Sequence, residues 1–343
     1  MNDRIPLAMA LTQRGAGRLE PIDCPMPPLR PGQVRLRVLA CGVCRTDLHL
    51  VDGELDACDL PRIPGHEIVG ELVELGRDTA GWQLGERVGV AWLHDTCMAC
   101  ALCRGGRENL CAGARFTGFS VDGGYADFTV ASAEACVRLP AGYSDVDAAP
   151  LLCAGLIGYR AWRMANDCAG DAAVVGLYGF GAAAHLIAQV AVAEGRTVFA
   201  FTRRGDAAAQ ALALSLGVHW AGDSGQAPPQ PMDAAILFAP AGELVPQALA
   251  HVLPGGSVVC AGIHMSDIPS FPYRLLWMER SLRSVANLTR RDAVGFMDWA
   301  GRHALRLATT VYPLARANDA LSDLRSGRIA GAAVLQPGPP PAD

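Results

Sequence analysis

The spacing of apolar residues changes once along the chain. In roughly the first 150 residues it has a period of two. "VRLRVLA" (34–40) alternates apolar and polar positions, and "IVGELVEL" (68–75) and "RVGVAW" (87–92) behave alike. Such alternation predicts half-buried strands. Pro25, Pro27, Pro28, Pro31-Gly32, Pro61, Pro64-Gly65 and Gly123-Gly124 break these runs into short pieces. The expectation is an irregular antiparallel β domain.

From about residue 155 the apolar runs become continuous. "AAVVGLY" (172–178) reads as a buried strand, followed by an alanine-rich helix to about Glu194, strand "TVFAF" (197–201) and a helix over about Asp206–Leu216. A short strand near His219-Trp220, "DAAILFA" (233–239), a helix near Leu244–Val252, "SVVCAG" (257–262) and "SLRSVAN" (281–287) complete the series. Strands alternating with helices predict βαβ units. Six of them suit a doubly wound parallel sheet made of two mononucleotide-binding halves. The stretch from about Thr310 to Leu335 again carries strand and helix signals, and the tail "PGPPPAD" (337–343) is expected to be disordered.

Composition narrows the chemistry. The chain has 343 residues, 51% hydrophobic, and a formal net charge of −5. No basic, aromatic-rich stripe is present to hold a phosphate backbone, so no nucleic-acid partner is expected. No apolar run approaches the roughly 20 residues needed to span a bilayer. The N-terminus lacks the pattern of a secretory signal, so no membrane association and a cytoplasmic location are expected. The sequence contains no lysine. That excludes Schiff-base catalysis and any dehydrogenase that relies on a Tyr-Lys pair.

Four of the twelve cysteines lie within fifteen residues, "CMACALCRGGRENLC", as Cys97, Cys100, Cys103 and Cys111. In a reducing compartment this C-x2-C-x2-C-x7-C spacing favours a metal over disulfides. Four thiolates close a tetrahedral zinc site and leave no corner for substrate, so its role would be structural. An iron–sulfur cluster or a nucleic-acid zinc module is less well matched. No proline follows the run, and Arg104 and Arg107 are offset by Glu108 and by the acidic chain as a whole. Three distant segments, "CGVCRTDLH" (41–49), "PGHE" (64–67) and "LLCAG" (151–155), offer Cys44, His66 and Cys153. Two sulfurs and one imidazole would leave an open zinc corner, the catalytic arrangement.

Together with "LLCAGLIGYRA" and "GLYGFGAAAH", and in this order, these segments resemble the zinc-dependent medium-chain alcohol dehydrogenases, in particular their bacterial and yeast-like branch. That family uses the Cys2His set for its catalytic zinc. The resemblance implies an α/β protein: a GroES-like irregular β catalytic domain over 1–154 with a structural zinc lobe at 95–113, a Rossmann domain with a six-stranded doubly wound sheet over 155–289, and a return to the first domain over 290–343. It implies two Zn2+ per subunit, Cys44, His66 and Cys153 on the catalytic ion, and Cys97, Cys100, Cys103 and Cys111 on the structural one. Glu67 resembles the acidic residue that stays near the catalytic zinc.

Thr46 and His49 are i and i+3 on a helix starting near Cys44, placed to pass a proton from an alcohol toward solvent. In the family this relay runs through the cofactor's ribose. Gly179, Phe180, Gly181 and Ala182 match the dinucleotide fingerprint after the first Rossmann strand, with Ala184 at its third small position. At the end of the second strand the carboxylate usual for NAD is replaced by Thr202, followed by Arg203 and Arg204. Donors there favour a 2′-phosphate, so NADP(H) is expected over NAD(H). Arg290 is a candidate cofactor contact. Trp92 resembles the wall of a narrow substrate pocket, and Ile157 is expected against the nicotinamide face.

The implied activity is reversible hydride transfer between a small, primary alcohol or aldehyde and a nicotinamide. A polyol or formaldehyde dehydrogenase is the rival within the superfamily. A non-catalytic zinc- and cofactor-binding paralogue is the rival of another class. A homodimer or homotetramer is expected.

Overall fold

The structure is a computed structural model. It describes residues 5–338 except 56, 57, 171, 263, 264 and 330, and leaves out the side chains of 168 and 169. The expectation for the 337–343 tail therefore falls, apart from its first two residues, outside the described part. The chain divides into two compact units, Met1–Cys153 with Asn287–Asp343, and Ala154–Ala286.

The first unit is built on strand Gln33–Val43. It pairs antiparallel with Ile68–Leu75, Phe128–Ser132 and Ala332–Gln336 in a seven-stranded sheet that continues to Arg87–Val90 and Cys136–Arg138 on one side and Thr309–Pro313 on the other. Val34, Leu36 and Val38 pack with Ile68, Leu72, Val88 and Val90 in its core. The alternation read from the sequence places Arg35 in solvent. Instead Arg35 is only 5% exposed, its Nε 2.7 Å from Glu74 Oε2 and its Nη2 donating to Pro27 O at 2.8 Å. A buried guanidinium is tolerated because both its charge and its donors are met. Register shifts near Arg35 and Val38 bend the strand against Ile68–Leu75. Beyond them Ala40, Cys41 and Val43 are all buried, so the strand delivers Cys44 to the interior.

The second unit carries a six-stranded, wholly parallel sheet. Its order runs Trp220–Asp223, Thr197–Thr202, Val174–Tyr178, Met232–Leu237, Val252–Cys260, Ser281–Ser284. The chain enters in the middle, at Val174–Tyr178, and the order reverses between that strand and Met232–Leu237. Such a reversal is where doubly wound folds bind their ligands. Apolar side chains fill both faces, with Tyr178 stacked on Phe201 at 4.0 Å. Helix Ala154–Ala169 leads into the first strand, and helices Ala182–Ala193, Ala207–Ser215 and Leu244–His251 connect successive strands. The fifth strand of the apolar series starts earlier than its sequence signal, at Val252, directly after helix Leu244–His251. No helix among the described residues is long and apolar enough to cross a membrane.

Candidate functional site

Strand Gln33–Val43 ends at Cys44, which caps helix Arg45–Val51. The helix is short and starts abruptly because Asp47 turns back on it. Its Oδ2 accepts the Cys44 N–H at 2.9 Å. A helix N-terminus at a cysteine favours the thiolate. Cys44 Sγ lies 3.7 Å from Cys153 Sγ, and one ligand atom each from Cys44, His66, Glu67 and Cys153 falls within 4.8 Å of the others. A Zn–S bond of about 2.3 Å gives a tetrahedral sulfur–sulfur edge of about 3.8 Å, so the pair fits a shared zinc ion.

The electrostatics point the same way. A hydrogen bond from Cys153 holds the Cys44 thiol well below its usual range despite burial, and Cys153 is correspondingly raised. Burial, then the charge of Cys44, pushes Glu67 up. Burial alone would lower His66, yet the charges of Asp47 and Cys44 outweigh it and raise His66 well above its usual value. A site that raises a fully buried imidazole holds strong negative potential, which a divalent cation would neutralise. Glu67 has room because residue 42 is glycine, where a methyl group would overlap Glu67 Oε2.

The sequence reading gave no role to Asp47. Its Oδ1 lies 3.5 Å from His66 Nδ1 and accepts the Gly65 N–H at 3.1 Å, and only 2% of its side chain is exposed. A carboxylate facing Nδ1 leaves Nε2 as the nitrogen for a metal and, at 3.5 Å with no hydrogen bond to Nδ1, acts on the ring through its charge. The signal was present in the Arg45-Thr46-Asp47 run, but nothing in the spacing tied Asp47 to a histidine nineteen positions on.

Thr46 is buried, with Oγ1 3.7 Å from Cys44 Sγ. His49 is half-buried one turn on, its Nδ1 2.5 Å from Glu54 Oε2. Trp92 meets His66 edge-on at 4.9 Å and stacks with Phe116 at 5.2 Å and Phe119 at 6.0 Å. The two phenylalanines that hold it were not singled out in the sequence.

Cys97, Cys100, Cys103 and Cys111 form a second cluster, with sulfur separations of 3.4 Å (Cys97–Cys111), 3.5 Å (Cys100–Cys103) and 3.9 Å (Cys97–Cys103). These are too long for a disulfide bond of about 2.05 Å and bracket the tetrahedral zinc edge. Backbone N–H groups of Ala99 and Cys100 pull the Cys97 thiol down to about 6. Arg290, expected as a cofactor contact, lies in this neighbourhood. Its Nη2 pairs with Glu134 Oε2 at 3.1 Å, its Nη1 reaches Met98 Sδ, and its backbone N–H donates to Glu108 Oε1 at 2.8 Å. Position 290 opens helix Arg290–Arg302, which turns the guanidinium toward the cysteine lobe.

In the second unit, Gly179 follows strand Val174–Tyr178 with φ +85°, and a methyl group there would meet Ala239 N at 2.7 Å. Only glycine fits. Gly181 caps helix Ala182–Ala193 with no side chain on its free N–H groups, and a Cβ there would meet nothing within 4 Å. An open helix N-terminus of this kind suits a pyrophosphate. Phe180 and Ala182 flank Gly181 half-buried, and Ala184 is buried. Ile157 is half-buried near the start of helix Ala154–Ala169.

The reading of Thr202 needs correction. It is 2% exposed, its hydroxyl is placed to donate to Arg203 O (3.1 Å) or Gly222 O (3.4 Å), and it accepts from Gln210 Nε2 at 3.0 Å. That hydroxyl is turned inward, so any phosphate recognition falls to Arg203 and Arg204, both exposed. The turn that carries them is pinned by Asp223 Oδ1, which accepts from Gly205 N and Gln210 Nε2, each at 3.0 Å.

Comparison with known proteins agrees with this arrangement. Residues 30–141 match the family described as alcohol dehydrogenase GroES-like domain. AdhA of Mycobacterium tuberculosis, described as a probable alcohol dehydrogenase, is 49% identical over 325 residues, covering 93% of each chain. An alcohol dehydrogenase of Geobacillus stearothermophilus is 32% identical over 93% of this chain and 95% of its own. The cobalt- and zinc-bound thermostable alcohol dehydrogenase of Pyrobaculum aerophilum superposes with a TM-score of 0.86 at 26% identity, covering 97% of this chain and 99% of that one. With such identity sustained over nearly the full length of both chains, this protein belongs to the zinc-dependent medium-chain alcohol dehydrogenase family.

Proposed function

We propose that the protein interconverts small primary alcohols and their aldehydes, with NADP(H) preferred over NAD(H). The observation that carries the reading is the convergence of Cys44, His66, Glu67 and Cys153, whose donor atoms lie within 4.8 Å of one another. Zinc held there would supply Lewis-acid polarisation of the alcohol or carbonyl oxygen, and a nicotinamide would exchange the hydride.

The chain's own residues do the rest. Cys44, His66 and Cys153 take the ion, and Glu67 stays within reach of it. Thr46, beside Cys44, accepts the hydroxyl proton. His49, its Nδ1 held by Glu54, passes it to solvent. Trp92, stacked with Phe116 and Phe119, narrows the space next to His66 and disfavours bulky secondary alcohols. Gly179 to Ala182 cradle the pyrophosphate at a helix N-terminus. Ile157 presses on the nicotinamide, and Arg203 and Arg204 receive the 2′-phosphate. The four-cysteine lobe holds a second, structural zinc.

The test is reduction of a small aldehyde panel by the purified protein with NADPH and NADH, before and after a zinc chelator. Chelator-sensitive turnover favouring NADPH is expected. Removing Arg203 and Arg204 should cost NADPH roughly 10-fold or more in kcat/KM while sparing NADH, since a hydrogen bond to a charged group contributes about 1.5–3 kcal/mol. Equal or better use of NADH by the parent protein would overturn the cofactor assignment. Turnover indifferent to chelation would overturn the metal assignment.

A further inference from the structure

Tyr125 lies 78 residues from Asp47 in sequence, yet its hydroxyl donates to Asp47 Oδ2 at 3.0 Å. The ring is fully buried. Its backbone is held on both sides. Tyr125 N donates to Pro64 O at 3.0 Å, and Tyr125 O accepts from Met9 N at 2.8 Å. The preceding glycines lie along the same segment, with Gly123 N donating to Ile63 O and Gly124 N to Gly65 O. Residues 123–125 thus run beside 63–65, the three residues that lead into His66. Gly65, with φ +96°, is obligatory there because any Cβ would overlap the Tyr125 ring.

The consequence concerns Asp47. A buried carboxylate needs its oxygens saturated by donors. Oδ2 takes the N–H of Cys44 and the hydroxyl of Tyr125. Oδ1 takes the N–H of Gly65 and faces His66 Nδ1. Of these contacts the Tyr125 hydroxyl is the one made by a side chain other than the imidazole itself. Without it Oδ2 keeps only the helix-capping bond, and the carboxylate can rotate about that bond away from His66.

We propose that Tyr125 is a positioning residue for the catalytic metal site, acting through Asp47 on the orientation of His66. The inference rests on His66 being a metal ligand. It asks of Tyr125 only the hydroxyl, since the ring's packing is a separate matter.

Tyr125→Phe removes the hydroxyl and keeps the ring. On the purified, zinc-loaded protein, chelator competition should show the Cys44–His66–Cys153 site holding metal about 10-fold more weakly, the low end of what outer-shell changes cost, while the cysteine lobe keeps its zinc. After cobalt exchange, the visible absorption of the catalytic site should shift, a readout that loss of packing does not move. The effect should vanish in an Asp47→Asn background, because the hydroxyl acts only through that carboxylate. Unchanged metal affinity and an unchanged cobalt spectrum in Tyr125→Phe would overturn the proposal, as would an equal loss in the Asp47→Asn background. Unchanged metal affinity in Asp47→Asn would likewise overturn the proposal, whereas two zinc ions per chain retained in His66→Ala would overturn the assignment of His66 as a ligand on which it rests.

Discussion

His94 carries a cost that the fold absorbs near neutral pH and shows in acid. It is 2% exposed on strand Leu93–Asp95, and its Nδ1 has no hydrogen-bond partner among the described residues. Burial, with Asp95 and Arg115 exerting smaller opposed effects, lowers it from 6.5 to about 4. The unfolded chain therefore binds this proton more readily than the folded one. Stability is complete above pH 6.5 and falls as pH drops toward 4, by up to about 3 kcal/mol from this group. Urea midpoints at pH 7 and pH 4.5 should lie further apart for the parent than for His94→Leu, and equal gaps would assign the acid sensitivity elsewhere. The sequence could name His94 as a histidine but not its environment. The same limit hid Asp47 and Tyr125, whose meeting depends on two chain segments 78 positions apart. Thr202 was found at its strand end, while the direction of its hydroxyl was set by Gln210, a residue on the next helix. The clustering of the cysteines and His66 was legible because thiolate and imidazole chemistry announces itself by residue type and spacing.

Between elements, contact is controlled by small residues. Gly158 in helix Ala154–Ala169 lies against Ile187 of helix Ala182–Ala193, and a Cβ at 158 would sit 2.5 Å from Ile187 Cγ1. Ile187 is itself fully buried and has little room to yield. In an exposed helix a Gly→Ala change stabilises by up to about 1 kcal/mol. Here overpacking should dominate, and Gly158→Ala should destabilise by about 1–3 kcal/mol. A rise in melting temperature would show that the helices can part. The strands of the parallel sheet were readable as apolar runs because both their faces are covered. Strand Gln33–Val43 was readable over 34–40. From Ala40 to Val43 every residue is buried, beyond the register shift at Val38–Ala40, and the alternation ends. The apolar pattern alone does not mark helix Arg290–Arg302. Its Thr289–Asp292 capping box is a local signal, with Thr289 Oγ1 2.6 Å from Asp292 Oδ2.

On the scale of the whole molecule, the parallel sheet has an edge at Ser281–Ser284. Just before it Tyr273, Trp277 and Met278 are 68%, 56% and 52% exposed. An edge strand beside large apolar side chains is a surface on which a second copy of the chain would continue the sheet. If the chain self-associates there, Trp277→Glu should reduce the sedimenting species to one chain's mass with secondary structure unchanged, and a parent that already sediments as one chain, or an unaltered assembly, would rule this edge out. The two metal clusters differ on the same scale. One draws all its sulfurs from residues 97–111, whereas the other waits for residues 44, 66 and 153 to meet. Closing a short loop costs less entropy than closing a long one. During synthesis the cysteine lobe can capture an ion once Cys111 has emerged from the ribosome, some forty residues before the other set of donors is complete. Scarce zinc would then fill the cysteine lobe first, leaving young chains with that lobe loaded and the Cys44–His66–Cys153 set still waiting for its ion.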